Sequence, residues 1–66
     1  MNLVRVYIST DRFQFEQVKI FLEDEEIPFK FRNSVDSMYN NFGTFEIFVD
    51  EKDSELASEK IKQTFG

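Results

Sequence analysis

The chain has no cysteine, histidine or tryptophan among its 66 residues, and it has only one proline and two glycines. The lack of cysteine excludes disulfides and thiol chemistry, and the lack of histidine excludes imidazole acid–base catalysis. Metal sites made of cysteine and histidine are excluded with them, and no glycine-rich phosphate loop is present. The sequence therefore predicts a protein that is not an enzyme and that holds neither a cofactor nor a metal.

Long apolar segments are also missing, since no uninterrupted run exceeds three residues, as in residues 20–22. A membrane-spanning helix needs about 20 apolar residues, and the core of a signal peptide needs about 7–15. The sequence thus predicts no contact with a membrane. The absence of cysteine fits a reducing compartment, so we expect a cytoplasmic protein of bacterial type.

Acidic residues outnumber basic residues by 13 to eight, which gives a net charge of −5. Such a charge disfavours nucleic acid as a partner, because binding to it requires cations that neutralise phosphates. Aromatic residues, in contrast, are abundant: nine phenylalanines and two tyrosines make up 17% of the chain. Because each large aromatic side chain buries about 150–250 Å², this content supports a single folded domain over residues 1–66.

Residues 3–8 alternate in a way that is typical of a β-strand. The alternation predicts one set of side chains that faces the core, namely Val4, Val6 and Ile8. It predicts a second set that faces the opposite way, namely Leu3, Arg5 and Tyr7.

A first helix is predicted from the capping pair Asp11 and Gln14 to about residue 26. The apolar side chains at helical spacing predict a core face made of Phe15, Val18, Phe21 and Leu22. Phe13 and Ile20 fall on the opposite side of this helix. The four acidic residues 23–26 and the lack of a glycine cap predict a weak C-terminal end.

Two more strands and a second helix are predicted after the first helix. Residues 27–32 form the second strand, and residues 33–42 form a ten-residue connection. Residues 44–49 form the third strand, whose core side carries Phe45, Ile47 and Val49. Asp50 caps the second helix, whose buried face carries Ala57, Ile61 and Phe65.

The predicted order is therefore β-α-β-β-α, in an α+β domain. Since short crossovers are right-handed, the simplest sheet has the order 1-3-2, with the third strand antiparallel to both neighbours and both helices on one face. This is a ferredoxin-like βαββαβ unit that lacks its last strand. The first and second strands are then exposed edges, which favour pairing with a strand of a partner or of a second copy.

Several short motifs along the chain are similar to those of a known bacterial family. They are Val6-Tyr7, Phe13, Glu16, Val18-Lys19, Leu22-Glu23, Glu26-Ile27-Pro28, Arg32-Asn33, Gly43, Val49 and Ala57. With these motifs nearly the whole chain resembles the prokaryotic signal-transducing protein family, a domain of unknown function with a PII-like fold. The resemblance implies a role in signal transduction and carries no catalytic residue. The family typically has glycine, which suits a left-handed helix cap, where this chain has Glu26.

The sheet face predicted to point away from the helices is the first candidate binding site. Its predicted side chains are Arg5, Tyr7, Lys30, Arg32, Glu46 and Phe48. Aromatic side chains on such a face stack single-stranded bases in some domains. The same residues also fit a solvated sheet with cross-strand pairs from Arg5 or Arg32 to Glu46. A partner or oligomer interface is the third interpretation.

Two other segments carry large side chains without a predicted place in the core. The 33–42 connection holds Met38, Tyr39 and Phe42, which either cap one end of the core or form a binding loop. On the first helix, Phe13 and Ile20 either pack at the edge of the core or form a protein interface.

These observations favour a non-catalytic binding or regulatory module that acts by protein–protein contact or self-association. The alternative is a sensor of a small anionic metabolite, with Arg5, Lys30 and Arg32 as ligands and an ordering of the 33–42 loop on binding. Binding of single-stranded nucleic acid on the open sheet face is a weaker third hypothesis.

Overall fold

The computed structural model describes residues 2–35 and 43–66 of the chain, and it contains three strands and two helices in these ranges. They are β1 (Leu3–Ser9), α1 (Arg12–Asp24), β2 (Phe29–Val35), β3 (Gly43–Asp50) and α2 (Glu51–Phe65). The predicted order of elements is confirmed. Neither of the described helices is long and apolar enough to cross a membrane.

The three strands form one antiparallel sheet in the order β1-β3-β2. β3 lies in the middle, so β1 and β2 are the two edges, and both helices lie on one face. The fold is thus α+β with ferredoxin-like topology, as predicted. We call the face of the sheet away from the helices the open face.

The core lies between the helices and the middle of the sheet. Its buried side chains are Phe15, Val18, Leu22, Ile27, Phe45, Ile47, Val49, Ala57 and Ile61. The predicted core faces of both helices and of β3 supply eight of these nine residues. Phe21 and Phe65 are only partly buried, and their rings meet edge to face at 5.6 Å between α1 and α2.

A β-bulge in β1 changes which of its side chains face the core. Arg5 pairs with Phe48 and Tyr7 pairs with Ile47, which are consecutive in β3, so Val6 between them is an extra residue of β1. Beyond such a bulge, side chains exchange faces. The prediction that Tyr7 lies on the open face is therefore wrong, and so is the prediction that Ile8 faces the core.

β2 begins later and extends further than predicted. It starts at Phe29 and pairs with β3 as far as Val35, which lies opposite Gly43. The prediction of a connection that begins at residue 33 is therefore wrong, because three more residues, 33–35, pair with β3. Met38, Tyr39 and Phe42 lie outside the described residues.

Both helices begin at the predicted caps. The Asp11 carboxylate accepts the N–H of Gln14 at 3.2 Å, and the Asp50 carboxylate accepts the N–H of Lys52 at 3.1 Å. The reciprocal half of a capping box is missing at α1, because the Asp11 N–H donates to the Ser9 hydroxyl instead. This leaves the Gln14 side chain available for a contact with β1.

The C-terminus of α1 ends in a Schellman motif with a glutamate at the left-handed position. The N–H of Glu26 donates to the Glu23 carbonyl at 3.1 Å, and the N–H of Ile27 donates to the Leu22 carbonyl at 3.0 Å. Glu26 has φ of 58°, which is a conformation that costs a residue with a Cβ about 1–2 kcal/mol. The buried pair of Ile27 and Leu22 supplies the hydrophobic contact typical of this motif.

Glu26→Gly is expected to stabilise the fold by about 1 kcal/mol, because glycine adopts positive φ without steric cost. Urea unfolding followed by circular dichroism would measure the change. Glu23→Gly is the matched control, since Glu23 lies within the helical residues of α1, where glycine costs about 1 kcal/mol. An equal effect of both substitutions would contradict the explanation by backbone conformation.

Candidate functional site

The open face is arranged in rows that the register of the sheet defines. In one row Phe48 of β3 lies between Arg5 of β1 and Lys30 of β2. In the next row Glu46 lies between Ile8 and Arg32. Side chains in one row stand about 4.5–5.5 Å apart at Cβ, and diagonal neighbours are within reach of long side chains.

Glu46 is held on the open face by two arginines, one from each edge strand. Nη1 of Arg5 donates to Oε2 of Glu46 at 3.1 Å. Nε and Nη2 of Arg32 donate to Oε1 at 3.0 and 2.8 Å. The predicted cross-strand pairs of Arg5 and Arg32 with Glu46 are thereby confirmed. These contacts leave Glu46 only 4% exposed, although no helix covers this face.

The two guanidinium groups keep Glu46 ionised. The two hydrogen bonds from Arg32, and then the one from Arg5, lower the pKa of this carboxyl below its ordinary value of 4.5. Desolvation acts in the opposite direction and is the weaker influence. At neutral pH the three side chains therefore form a group with one negative and two positive charges.

Both arginines remain accessible while they hold Glu46. The side chain of Arg5 is 51% exposed and that of Arg32 is 65% exposed. Among the described residues, Glu46 accepts one N–H of Arg5 and two N–H groups of Arg32. Each guanidinium has five N–H groups, so both have more donors than Glu46 uses. The guanidinium of Arg32 also lies 5.9 Å from the ring centre of Phe48. The open face can therefore bind the hydrogen-bond acceptors of a ligand next to an aromatic ring.

Charge is divided between the two sides of the sheet. The helices with their cap residues, 11–26 and 50–66, carry 11 acidic and five basic residues. In the described sheet, the open face carries three basic residues, Arg5, Lys30 and Arg32. It carries two acidic residues, Glu46 and the cap residue Asp50, which lies opposite Leu3 at the end of β3. This face is thus locally cationic in a chain with a net charge of −5.

Tyr7 belongs to the helix side of the sheet and not to the open face. It packs against the core, and its hydroxyl donates to Oε1 of Gln14 on α1 at 2.9 Å. The predicted pair of stacking aromatics on the open face is therefore reduced to Phe48, while Ile8 takes the exposed place. This removes half of the aromatic platform on which the nucleic-acid hypothesis depended.

The outer edge of β1 is a second candidate surface. No described strand pairs with this edge, and Leu3, Val4 and Ile8 are exposed along it. Between this edge and α2 runs a groove of about 240 Å³. Its lining includes Val4, Val6, Ser54, Glu55 and Ser58, and the two serines leave room beside the strand because their side chains are small.

The outer surface of α1 carries the predicted apolar pair. Phe13 is 72% exposed and Ile20 is 59% exposed, so neither side chain is buried at the edge of the core. A shallow groove of about 350 Å³ next to Ile20 is lined by Phe21, Asp24 and Phe65. This surface remains a predicted protein interface.

An exposed aromatic on β2 was missed by the sequence reasoning. Phe31 points to the helix side but is 55% exposed, because α1 packs more closely on β3 and β1 than on β2. Its ring meets Phe15 edge to face at 5.8 Å, and Nζ of Lys19 lies 4.3 Å from its centre. Alternation predicts the face of a side chain but not how far a helix covers it.

Comparison with protein-family models, with curated proteins and with solved structures finds no match to the chain. The open face and the uncovered edge of β1 are therefore the observations that bear on function. The first offers hydrogen-bond donors with positive charge. The second offers unpaired backbone groups beside apolar side chains.

Proposed function

We propose that the chain is a non-catalytic binding module that acts by protein–protein contact at the outer edge of β1. The observation that carries this proposal is an edge strand with exposed Leu3, Val4 and Ile8 and with no partner among the described strands. Unpaired N–H and C=O groups on such an edge accept a further strand through backbone hydrogen bonds. The exposed apolar side chains then gain burial.

The groove beside β1 supports strand addition. A strand beside this edge would place alternate side chains over α2 and over the open face. On the α2 side, Ser54 and Ser58 leave a space of about 240 Å³ for them. On the open side, Ile8 offers an apolar contact. The side chains on both faces of an added strand therefore have either space or an apolar contact.

A second copy of the chain is the occupant that we favour. Residues 3–9 carry only one charge, at Arg5, so two β1 strands can pair in antiparallel fashion without a run of like charges. When the same edge of both copies pairs, a two-fold axis relates the copies, and the assembly is a closed dimer. Self-association of this kind agrees with the regulatory, signal-transducing role that the family resemblance implies, and that role stays a prediction.

Light scattering coupled to size-exclusion chromatography, over a range of concentrations, tests the proposal. We expect a species of twice the 7.9 kDa of one chain. Val4→Lys should return the protein to the monomer, because a lysine ammonium at the edge opposes burial against another strand. Circular dichroism would verify that the variant remains folded.

Leu56→Lys is the matched control for this experiment. Leu56 is also exposed, but it lies about 160° around α2 from the groove residue Ser58. This variant should dimerise like the unmodified chain. A chain that is monomeric at every concentration would refute self-association, and a monomeric Leu56→Lys variant would move the interface away from β1.

A further inference from the structure

We propose that the open face binds a small phosphate monoester, with Arg5 and Arg32 as its ligands and Lys30 beside them. This site shares Arg5 with the groove beside β1, but it uses different chemical groups from those that the proposed dimer uses. Strand addition uses backbone groups in the plane of the sheet, whereas this site uses side chains that stand perpendicular to it. The two proposals can therefore fail separately.

Glu46 acts as a positioning residue in this site. It is nearly fully buried, and it holds one guanidinium on each of its carboxylate oxygens at 2.8–3.1 Å. Two long side chains from opposite edge strands are thereby brought together over the middle strand. Their remaining N–H donors are displayed at a fixed separation, so less side-chain entropy is lost when an anion binds.

A phosphate monoester suits two converging guanidinium groups better than a carboxylate does. The described open face carries three cations and the two carboxylates Glu46 and Asp50, so it keeps a positive charge. A phosphate monoester brings between 1.5 and 2 negative charges at about pH 7 and three acceptor oxygens, whereas a simple carboxylate brings one charge and two oxygens. Guanidinium groups also match phosphate oxygens with two parallel hydrogen bonds.

Phe48 gives the site an apolar component. Its ring lies between Arg5 and Lys30 in the register of the sheet, and the guanidinium of Arg32 is 5.9 Å from its centre. Phe48 is only partly covered. An organic group attached to the phosphate would lie over this ring, and we therefore expect an aromatic monoester to bind more tightly than inorganic phosphate.

The test is a titration followed by NMR, with phenyl phosphate, inorganic phosphate and acetate as probes at constant ionic strength. Saturable shifts of the Arg5 and Arg32 Nε–H signals are expected with phenyl phosphate in the millimolar range. Inorganic phosphate should bind more weakly, and acetate should not saturate. Linear, non-saturating shifts with all three probes would overturn the proposal.

Two variants that each lose one positive charge distinguish a specific binding site from general electrostatic attraction. Arg32→Gln should weaken phenyl phosphate binding about tenfold, because hydrogen bonds from a charged donor are lost. Arg12→Gln removes a cation at the start of α1, and it should change the affinity less than about twofold. Equal losses in both variants would refute the site. Amide spectra of each variant would verify the fold.

Discussion

Phe15→Ala is expected to leave much of the protein unfolded at 25 °C. Phe15 is only 2% exposed, and its ring lies 4.9 Å from Phe45 and 5.8 Å from Phe31. Truncation of a buried phenylalanine costs about 3–5 kcal/mol. A chain of this length has a total stability of about 3–10 kcal/mol. The substitution therefore removes a large part of the free energy of unfolding.

Thermal unfolding followed by circular dichroism measures this loss as a fall in Tm of about 4–8 °C for each kcal/mol. Phe13→Ala is the matched control, because Phe13 lies on the same helix and is 72% exposed. It should change stability by less than about 0.5 kcal/mol. Similar losses for the two variants would show that α1 does not pack as described.

Ala57→Leu is expected to destabilise the fold by about 1–3 kcal/mol, although it adds an apolar group to the core. Ala57 is fully buried where α2 packs on the sheet. Three more carbon atoms at this point would push α2 away from β1 and β3. Urea unfolding would report a lower midpoint with little change in slope.

Gln63→Leu separates overpacking from a general effect of added leucine. Gln63 is exposed on α2, so leucine meets no packed atoms there. We expect a change within about 0.5 kcal/mol. A neutral or stabilising effect of Ala57→Leu would contradict overpacking, because α2 and the sheet would then have unfilled space around Ala57.

Most of the fold could be predicted because the sequence has regular periodicity in both helices and in β3. The caps at Asp11 and Asp50 and the order of the strands follow from local chemistry and from the handedness of crossovers. The bulge at Val6 could not be predicted, since neither glycine nor proline marks it. One extra residue was enough to exchange the faces of Tyr7 and Ile8.

The candidate site was predictable only where the register was regular. Arg32 and Glu46 are direct partners across β2 and β3, and Arg5 lies before the bulge, so simple alternation placed all three on one face. The near-complete burial of Glu46 was not predictable, because it results from two guanidinium groups folding over a single carboxylate. The extent to which α1 covers Phe31 depends on helix placement, which periodicity does not define.

The middle position of β3 also determines the order in which the chain can acquire structure. β1 has no partner until β3 has been synthesised, whereas β2 and β3 are neighbours in sequence and pair directly. Joining β2 to β3 across the seven residues 36–42 costs less entropy than joining β1 to β3 across about 40 residues. Folding should therefore nucleate in the pair of β2 and β3, and β1 should dock last. The strand with the open edge is then also the strand whose apolar side chains stay exposed longest during folding.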